Sequence, residues 1–418
     1  MSQLPIASPS SGITFVYDAS LKTFVAATEE SLGPILGERA ATIGRHKFFF
    51  AFSYQYFNFS SIDGQDTANI PSVLQHQPFA PQPPRIPSCM NQTALTGTKF
   101  DGDPCFVRDF IQTTNNIDLR VHQYTIYATF GMTRHLDFSV AIPLLDVRMS
   151  VNSDATIVPN SVAPAAAGLP GNVFHQFNSM NPALAQSCGQ TPAGQACLHA
   201  SFSDSGSATG IGDVVLRGKY TLYKGERYGI AAGVDVRLPT GDELNFLGSG
   251  AAGVKPFGVI SYSARVSPHA ELGYEFNGES RLAGNLLSST PNKASLPNRF
   301  VYIVGADVFI VKRLTGAFDI YGQRLFNAPR LISQPFTDLG NCSGASNAAA
   351  VNCTVYTAGT THPDVAQTKS DFNITSASLG LKFRPVGKLV ITGNVLLKLD
   401  NGGLRARAVP LIGASYSF

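Results

Sequence analysis

Apolar and polar residues alternate with a period of two through much of this chain. The alternation is plainest at 47–59, where Phe48, Phe50, Phe52, Tyr54 and Tyr56 interleave with Phe49, Ala51, Ser53 and Gln55. Successive side chains of a strand point to opposite faces, so this pattern predicts a two-faced strand. The dyad then returns in pairs. Tyr124, Ile126, Ala128 and Phe130 oppose Gln123, Thr125, Tyr127 and Thr129, and a short turn at 131–135 leads into Leu136, Phe138, Val140, Ile142 and Leu144. Val214, Leu216, Gly218, Tyr220 and Leu222 oppose Asp213, Arg217, Lys219 and Thr221. The return strand sets Tyr228, Ile230, Ala232, Val234 and Val236 against Gly229, Ala231, Gly233, Asp235 and Arg237. Further pairs are predicted at 254–263 with 270–276, 300–310 with 315–325, and 372–383 with 389–399. The chain closes on Pro410, Ile412, Ala414, Tyr416 and Phe418 along one face.

The count is about 12 strands, an even number, joined by connections that alternate in length. Long ones at 60–116, 151–210, 238–253, 278–297 and 326–370 alternate with short ones at 131–135, 223–227, 265–268, 311–314 and 385–388; a brief 400–404 precedes the last strand. A soluble sandwich has no reason to segregate its turns in this way, whereas a transmembrane barrel carries long loops on one rim and tight turns on the other. The expected fold is therefore all-β, an antiparallel up-and-down transmembrane β-barrel spanning 45–418. Residues 1–44 form an N-terminal segment with possible short strands at 13–17 and 23–27 and a short helix at 32–41.

Composition supports a barrel. Only 14% of the residues are charged, against roughly 25% in soluble domains. Mean hydropathy is nevertheless close to neutral, and no apolar run approaches the roughly 18 residues of a spanning helix. Alternation hides membrane character in this way. The lack of Trp is unusual, and Tyr and Phe must supply the interfacial girdles. A net charge of +3 without a clustered basic face points to no nucleic-acid partner.

Charges fall on one face of the predicted strands. Asp213, Arg217, Lys219, Asp235, Arg237, Glu271, Glu275, Lys382, Arg405 and Arg407 are assigned to the lumen, with Asp307 and Asp319. Their mixed signs argue against strong ion selectivity. The six cysteines fall in close pairs within the long connections, Cys89 with Cys105, Cys188 with Cys197 and Cys342 with Cys353. None has a zinc spacing, and local disulfides in an oxidising compartment are the simplest pairing. The eight His form no metal pair on one face, Gly210-Ile211-Gly212-Asp213 opens no helix, and no catalytic constellation, cofactor or metal is expected. Met1 to Ser11 has no signal-peptide pattern, so the export signal is expected upstream of Met1.

Gly210, Gly212 and Asp213, followed by Lys219-Tyr220, Leu238-Pro239-Thr240-Gly241-Asp242 and Leu247-Gly248-Ser249-Gly250, resemble the signature of the outer-membrane family named for the meta-pathway of phenol degradation. The resemblance runs from about Gly33-Pro34 to Phe418, with the long loops divergent. It implies a channel or transporter for small hydrophobic, including aromatic, compounds in the bacterial outer membrane, distantly similar to long-chain fatty-acid transporters. The implied partners are outer-membrane lipid, a small hydrophobic substrate and the barrel-assembly machinery. That machinery reads a terminal aromatic, here Phe418 with Tyr416. A general diffusion porin and a non-transporting structural barrel are the alternatives. An N-terminal hatch in the fatty-acid transporters suggests that part of 1–44 folds into the lumen as a plug, with Arg39 and Arg45 meeting Asp235, Glu271 or Glu275.

Overall fold

The computed structural model describes residues 32–75, 109–160, 173, 175–178, 180–181, 184–284, 292–338 and 358–418, and the backbone of a small hairpin formed by Phe15–Asp18 and Thr23–Ala26. Twelve strands form one closed antiparallel barrel. They are β1 (Phe48–Ile62), β2 (Phe110–Gly131), β3 (Leu136–Val158), β4 (Val214–Lys224), β5 (Tyr228–Leu238), β6 (Gly253–Tyr262), β7 (Val266–Asn277), β8 (Arg299–Val311), β9 (Leu314–Ser333), β10 (Val365–Phe383), β11 (Leu389–Lys398) and β12 (Ala408–Ser417). Each pairs with the next, and β12 returns to β1 with Leu411 opposite Gln55 and Ser417 opposite Phe49. Closure removes the exposed strand edges that hydrocarbon cannot tolerate.

The period-two pattern sorts the side chains. Phe50, Ile126, Ile230, Ile260, Leu272, Val304, Leu381 and Ile412 are exposed, whereas Gln55, Thr125, Asp235, Glu271, Asp307 and Ser378 on the opposite parity are buried. In a closed barrel the first set faces outward and the second faces the lumen. An apolar belt of this extent has no place on a soluble surface, so its surroundings are lipid.

Tight turns at 132–135, 225–227, 263–265, 312–313 and 384–388 share one rim. At the other rim the strands overshoot. β2 has 22 residues and β3 has 23, where about 9–11 span a membrane. A further strand, His199–Ile211, extends the sheet beside the outer half of β3, from Leu144 opposite Ile211 to Thr156 opposite His199. The long connections expected at 60–116, 151–210 and 326–370 are thus partly strand. Their residues are polar on both faces, as in Ser201, Ser203, Asp204 and Ser205, so no dyad marks them.

Residues 32–41 are not a helix but an irregular extended run with bends. Gly33 takes a left-handed φ of 85°, and Pro34 follows it. Neither continues a helix.

Candidate functional site

Because Asp235 on β5 lies directly opposite Arg217 on β4 and Lys255 on β6, strand register alone brings three inward charges into line. Arg217 grips Asp235 with two hydrogen bonds of 2.6 and 2.7 Å, and Lys255 reaches Asp235 at 3.0 Å and Glu271 at 3.6 Å. A second row lies nearer the long-loop rim. Arg237 donates to Glu275 at 2.6 Å and to Asn277 at 2.6 Å, and Arg299, opposite Glu275 on β8, donates to it at 2.6 Å and to Gln323 at 2.8 Å. Arg237 crosses from β5 to β7 over Gly253 of β6. A Cβ there would sit 2.9 Å from both the Arg237 guanidinium and the Glu275 carboxylate. The glycine is what lets the bridge span a strand.

The opposite side of the lumen carries an apolar cluster next to the inward Gln55, Gln123 and Thr125. Phe57 and Phe59 of β1, Val121 of β2, Leu145 and Val147 of β3, and Leu396, Val409 and Leu411 of β11 and β12 form one buried cluster. Leu36 and Leu247, neither of them on a strand, complete it.

Leu36 belongs to the 32–44 segment, which runs among the inward side chains. A chain without regular structure needs other partners for its peptide groups, and here the wall supplies them. Leu32 N donates to Thr315 Oγ1 at 2.9 Å, Leu36 N to Asp319 at 3.2 Å, Ala40 N to Ser261 Oγ at 3.1 Å and Ile43 N to Asp137 at 2.9 Å. Carbonyls accept in turn, Pro34 O from Lys382 at 2.6 Å and Ala40 O from Thr221 at 2.6 Å. Lys219 donates to the carbonyls of Arg39 and Ala41. Glu38, buried, receives Arg217 and Lys219, which joins the segment to the first charged row. Gly37 packs on His269, where a Cβ would come within 2.6 Å of the ring; His269 Nε2 lies 2.7 Å from Asp319.

Leu247 belongs to the 239–252 connection, which folds inward rather than standing outside. Asp213 draws it in, accepting from Gly241 N at 3.2 Å, Ser249 N at 2.8 Å and the Ser249 hydroxyl. Thr240 Oγ1 donates to Gly212 O at 2.7 Å and accepts from Val214 N at 3.0 Å. Gly241 and Gly248 meet backbone to backbone, since a Cβ on Gly241 would lie 2.7 Å from Gly248 Cα. Apart from Lys219-Tyr220, whose lysine holds the 32–44 segment instead, the sequence pieces that carry the family resemblance are therefore the parts of a single clasp.

Of the residues assigned to the lumen, Asp213, Lys219, Asp235, Arg237, Glu271, Glu275, Lys382 and Arg405 are buried, and Arg217 is nearly so. Arg405 is turned toward β10, at 3.0 Å from Ser376 Oγ. Arg407 is exposed, in the bend before β12. A register shift between Arg405 and Ala406 breaks the parity that would have turned it inward. Arg39 pairs with Asp307 at 2.7 Å, not with Asp235, Glu271 or Glu275, which already hold Arg217, Lys255, Arg237 and Arg299; Arg45 is exposed. Glu38, Lys255, Arg299 and Tyr127 were not singled out in the sequence, although inward parity marks all the strand residues among them. Cys188 and Cys197 form a disulfide with an S–S distance of 2.03 Å. Cys89, Cys105, Cys342 and Cys353 lie outside the described residues. Tyr416 and Phe418 face outward beside one another, and Phe418 N closes on Phe48 O at 2.8 Å. His122 bonds the Tyr54 hydroxyl on the outer face. Among the described residues no cluster of three metal-ligating side chains occurs.

Residues 100–290 match the family described as putative MetA-pathway of phenol degradation, and this stretch contains the clasp. Among solved structures, an outer membrane channel from Pseudomonas putida F1 aligns at 9% identity and a TM-score of 0.46, covering 91% of this chain and 98% of that one. A FadL homologue from Pseudomonas aeruginosa aligns at 10% identity and a TM-score of 0.29, covering 89% of each chain. No curated protein sequence matches the chain.

Proposed function

We propose that this chain, a bacterial outer-membrane β-barrel, is a channel for small hydrophobic compounds, aromatic ones included, and that residues 32–44 are the plug that holds it shut. One observation carries the reading. The segment is tied through its own backbone to β3, β4, β6, β9 and β10, so it fills the lumen without being part of the wall. About eight strands already give an interior that side chains can fill, and twelve enclose more. An apolar cluster on one side of the lumen and mutually bridged charges on the other favour an uncharged solute over an ion. The family match adds the association with phenol breakdown.

Planar-bilayer conductance tests the mechanism. The full chain is expected to be nearly silent, and a chain lacking residues 1–40 to conduct steadily. Continued silence in a correctly assembled deletion removes the plug from the mechanism. Steady conductance by the full chain makes it a general diffusion pore instead.

A further inference from the structure

Each of the tight turns carries Arg or Lys, and Glu226 is the only acid among their residues. Two of these turns, 312–313 and 384–388, are laced into one unit. Arg384 N donates to Arg313 O at 2.8 Å, the Arg384 guanidinium to Lys312 O at 2.9 Å and the Arg313 guanidinium to Pro385 O at 3.3 Å. With Lys388 the unit gathers four cations, and no Asp or Glu stands in either turn. Like charges held this close repel one another, so the cluster gains from an anion. The turns follow directly on Val311 and Phe383, both exposed on the barrel. Their cations therefore stay at the membrane surface, at the level of lipid headgroups.

Beneath the cluster the outer wall is hollow. Val308, Gly316, Leu381 and Gly393 stand in one row across β8 to β11, with Ala306, Phe318, Leu379 and Val395 in the next, and both rows line a single groove. Val308, Phe318, Leu379 and Leu381 are exposed, which places the groove on the lipid side. Its two glycines create it. A Cβ on Gly393 would meet nothing within 4 Å, and one on Gly316 only Ile310 at 3.6 Å and Leu381 at 3.9 Å. Neither glycine has a positive φ. Glycine weakens a strand, and neither backbone conformation nor packing within the chain calls for it here, so its use is to make room for something outside. Gly316 follows Arg313 by three residues and Leu381 precedes Arg384 by three. At roughly 3.4 Å per residue the groove starts about 10 Å from the cations.

We propose that these two turns and the groove beneath them bind one anionic phospholipid of the inner leaflet, its phosphate among Lys312, Arg313, Arg384 and Lys388 and one acyl chain laid over Gly316 and Gly393. A zwitterionic lipid brings its own ammonium to the cations and is disfavoured. Native mass spectrometry of the purified full chain in non-ionic detergent, with equal amounts of phosphatidylglycerol and phosphatidylethanolamine of the same chains, reads the lipid retained. Phosphatidylglycerol is expected to be kept about tenfold over phosphatidylethanolamine. Lys312→Gln with Lys388→Gln, which leaves the lacing arginines in place, brings that ratio close to one, and the corresponding Lys→Arg pair preserves it. Lys224→Gln with Arg227→Gln, beside Glu226 on another turn, is the control and leaves the preference intact. Gly393→Leu, or Gly316→Leu should the first fail to assemble, lowers retention of phosphatidylglycerol about threefold or more. Inorganic phosphate in tenfold excess over the lipid does not displace it. Equal retention of the two lipids, a preference that survives loss of both lysines, or retention unchanged by filling the groove overturns the site. Displacement by inorganic phosphate makes it an anion site only, and a lipid-free dimer that Gly393→Leu dissociates gives the groove to a second copy of the chain; either result defeats the lipid.

Discussion

Gly253 has no side chain, yet it governs how the second charged row of the lumen crosses from β5 to β7. Replacing it with Leu would drive a Cβ to within 2.9 Å of the Arg237 guanidinium and the Glu275 carboxylate, and Arg237 must then leave Glu275 and Asn277. Overpacking of this kind costs about 1–3 kcal/mol. The loss is expected as a lower urea midpoint for barrel unfolding, followed by gel mobility. Gly393→Leu is the control, because nothing lies within 4 Å of a Cβ there. Facing decides a second pair of outcomes. Ile412→Arg places a cation on the lipid face at a cost of about 2–4 kcal/mol near mid-membrane, whereas Ser415→Arg on the other parity should assemble far better. Equal loss of the folded band in both would show that the facing is wrong. Parity of this sort was legible from the sequence because it needs nothing beyond the alternation itself. The partner of Arg39 was not legible, because which carboxylate remains open depends on how β4 to β9 are registered, and no local window contains that information.

At the scale of elements, the short strands such as β4, β5 and β11 could be read over their whole length, whereas β2, β3, β9 and β10 could be read only in their inner halves. Lipid imposes alternation only where it touches the wall; beyond it β2, β3 and His199–Ile211 run through water and are free to be polar on both sides. That the 239–252 connection folds inward could not be read from the sequence for a different reason. Its direction is set by one carboxylate on the neighbouring connection, and a loop's own composition does not reveal what clasps it. Asp213→Ala is therefore expected to release this element and little else. Hydrogen exchange at Gly241 and Ser249, whose amides donate to Asp213, should accelerate strongly while amides of β4 and β5 stay protected. Unchanged protection at those two positions would mean that the loop is held by Thr240 and Leu247 instead.

For the molecule as a whole, ring closure and lumen filling draw on opposite ends of the chain. β12 seals against β1, and the closed form should run faster on gels unheated than boiled. The segment just before β1 finds its partners far downstream: 283 residues separate Leu36 from Asp319, and 348 separate Pro34 from Lys382. Contacts so distant form slowly, because a long loop must be closed before any of them can reward it. Refolding from urea into detergent should accordingly show a slow step after barrel closure, read as late protection of the Leu36 and Ala40 amides. A chain lacking residues 1–40 should complete refolding without that step. The order of events also has a geometric side. β9 and β10, which hold Leu32, Pro34 and Leu36, are made long after the segment itself, so it settles only into a ring that those strands have already completed. From then on the wall offers no exit, and any displacement that opens a path must travel along the barrel axis, as a piston moves in its cylinder.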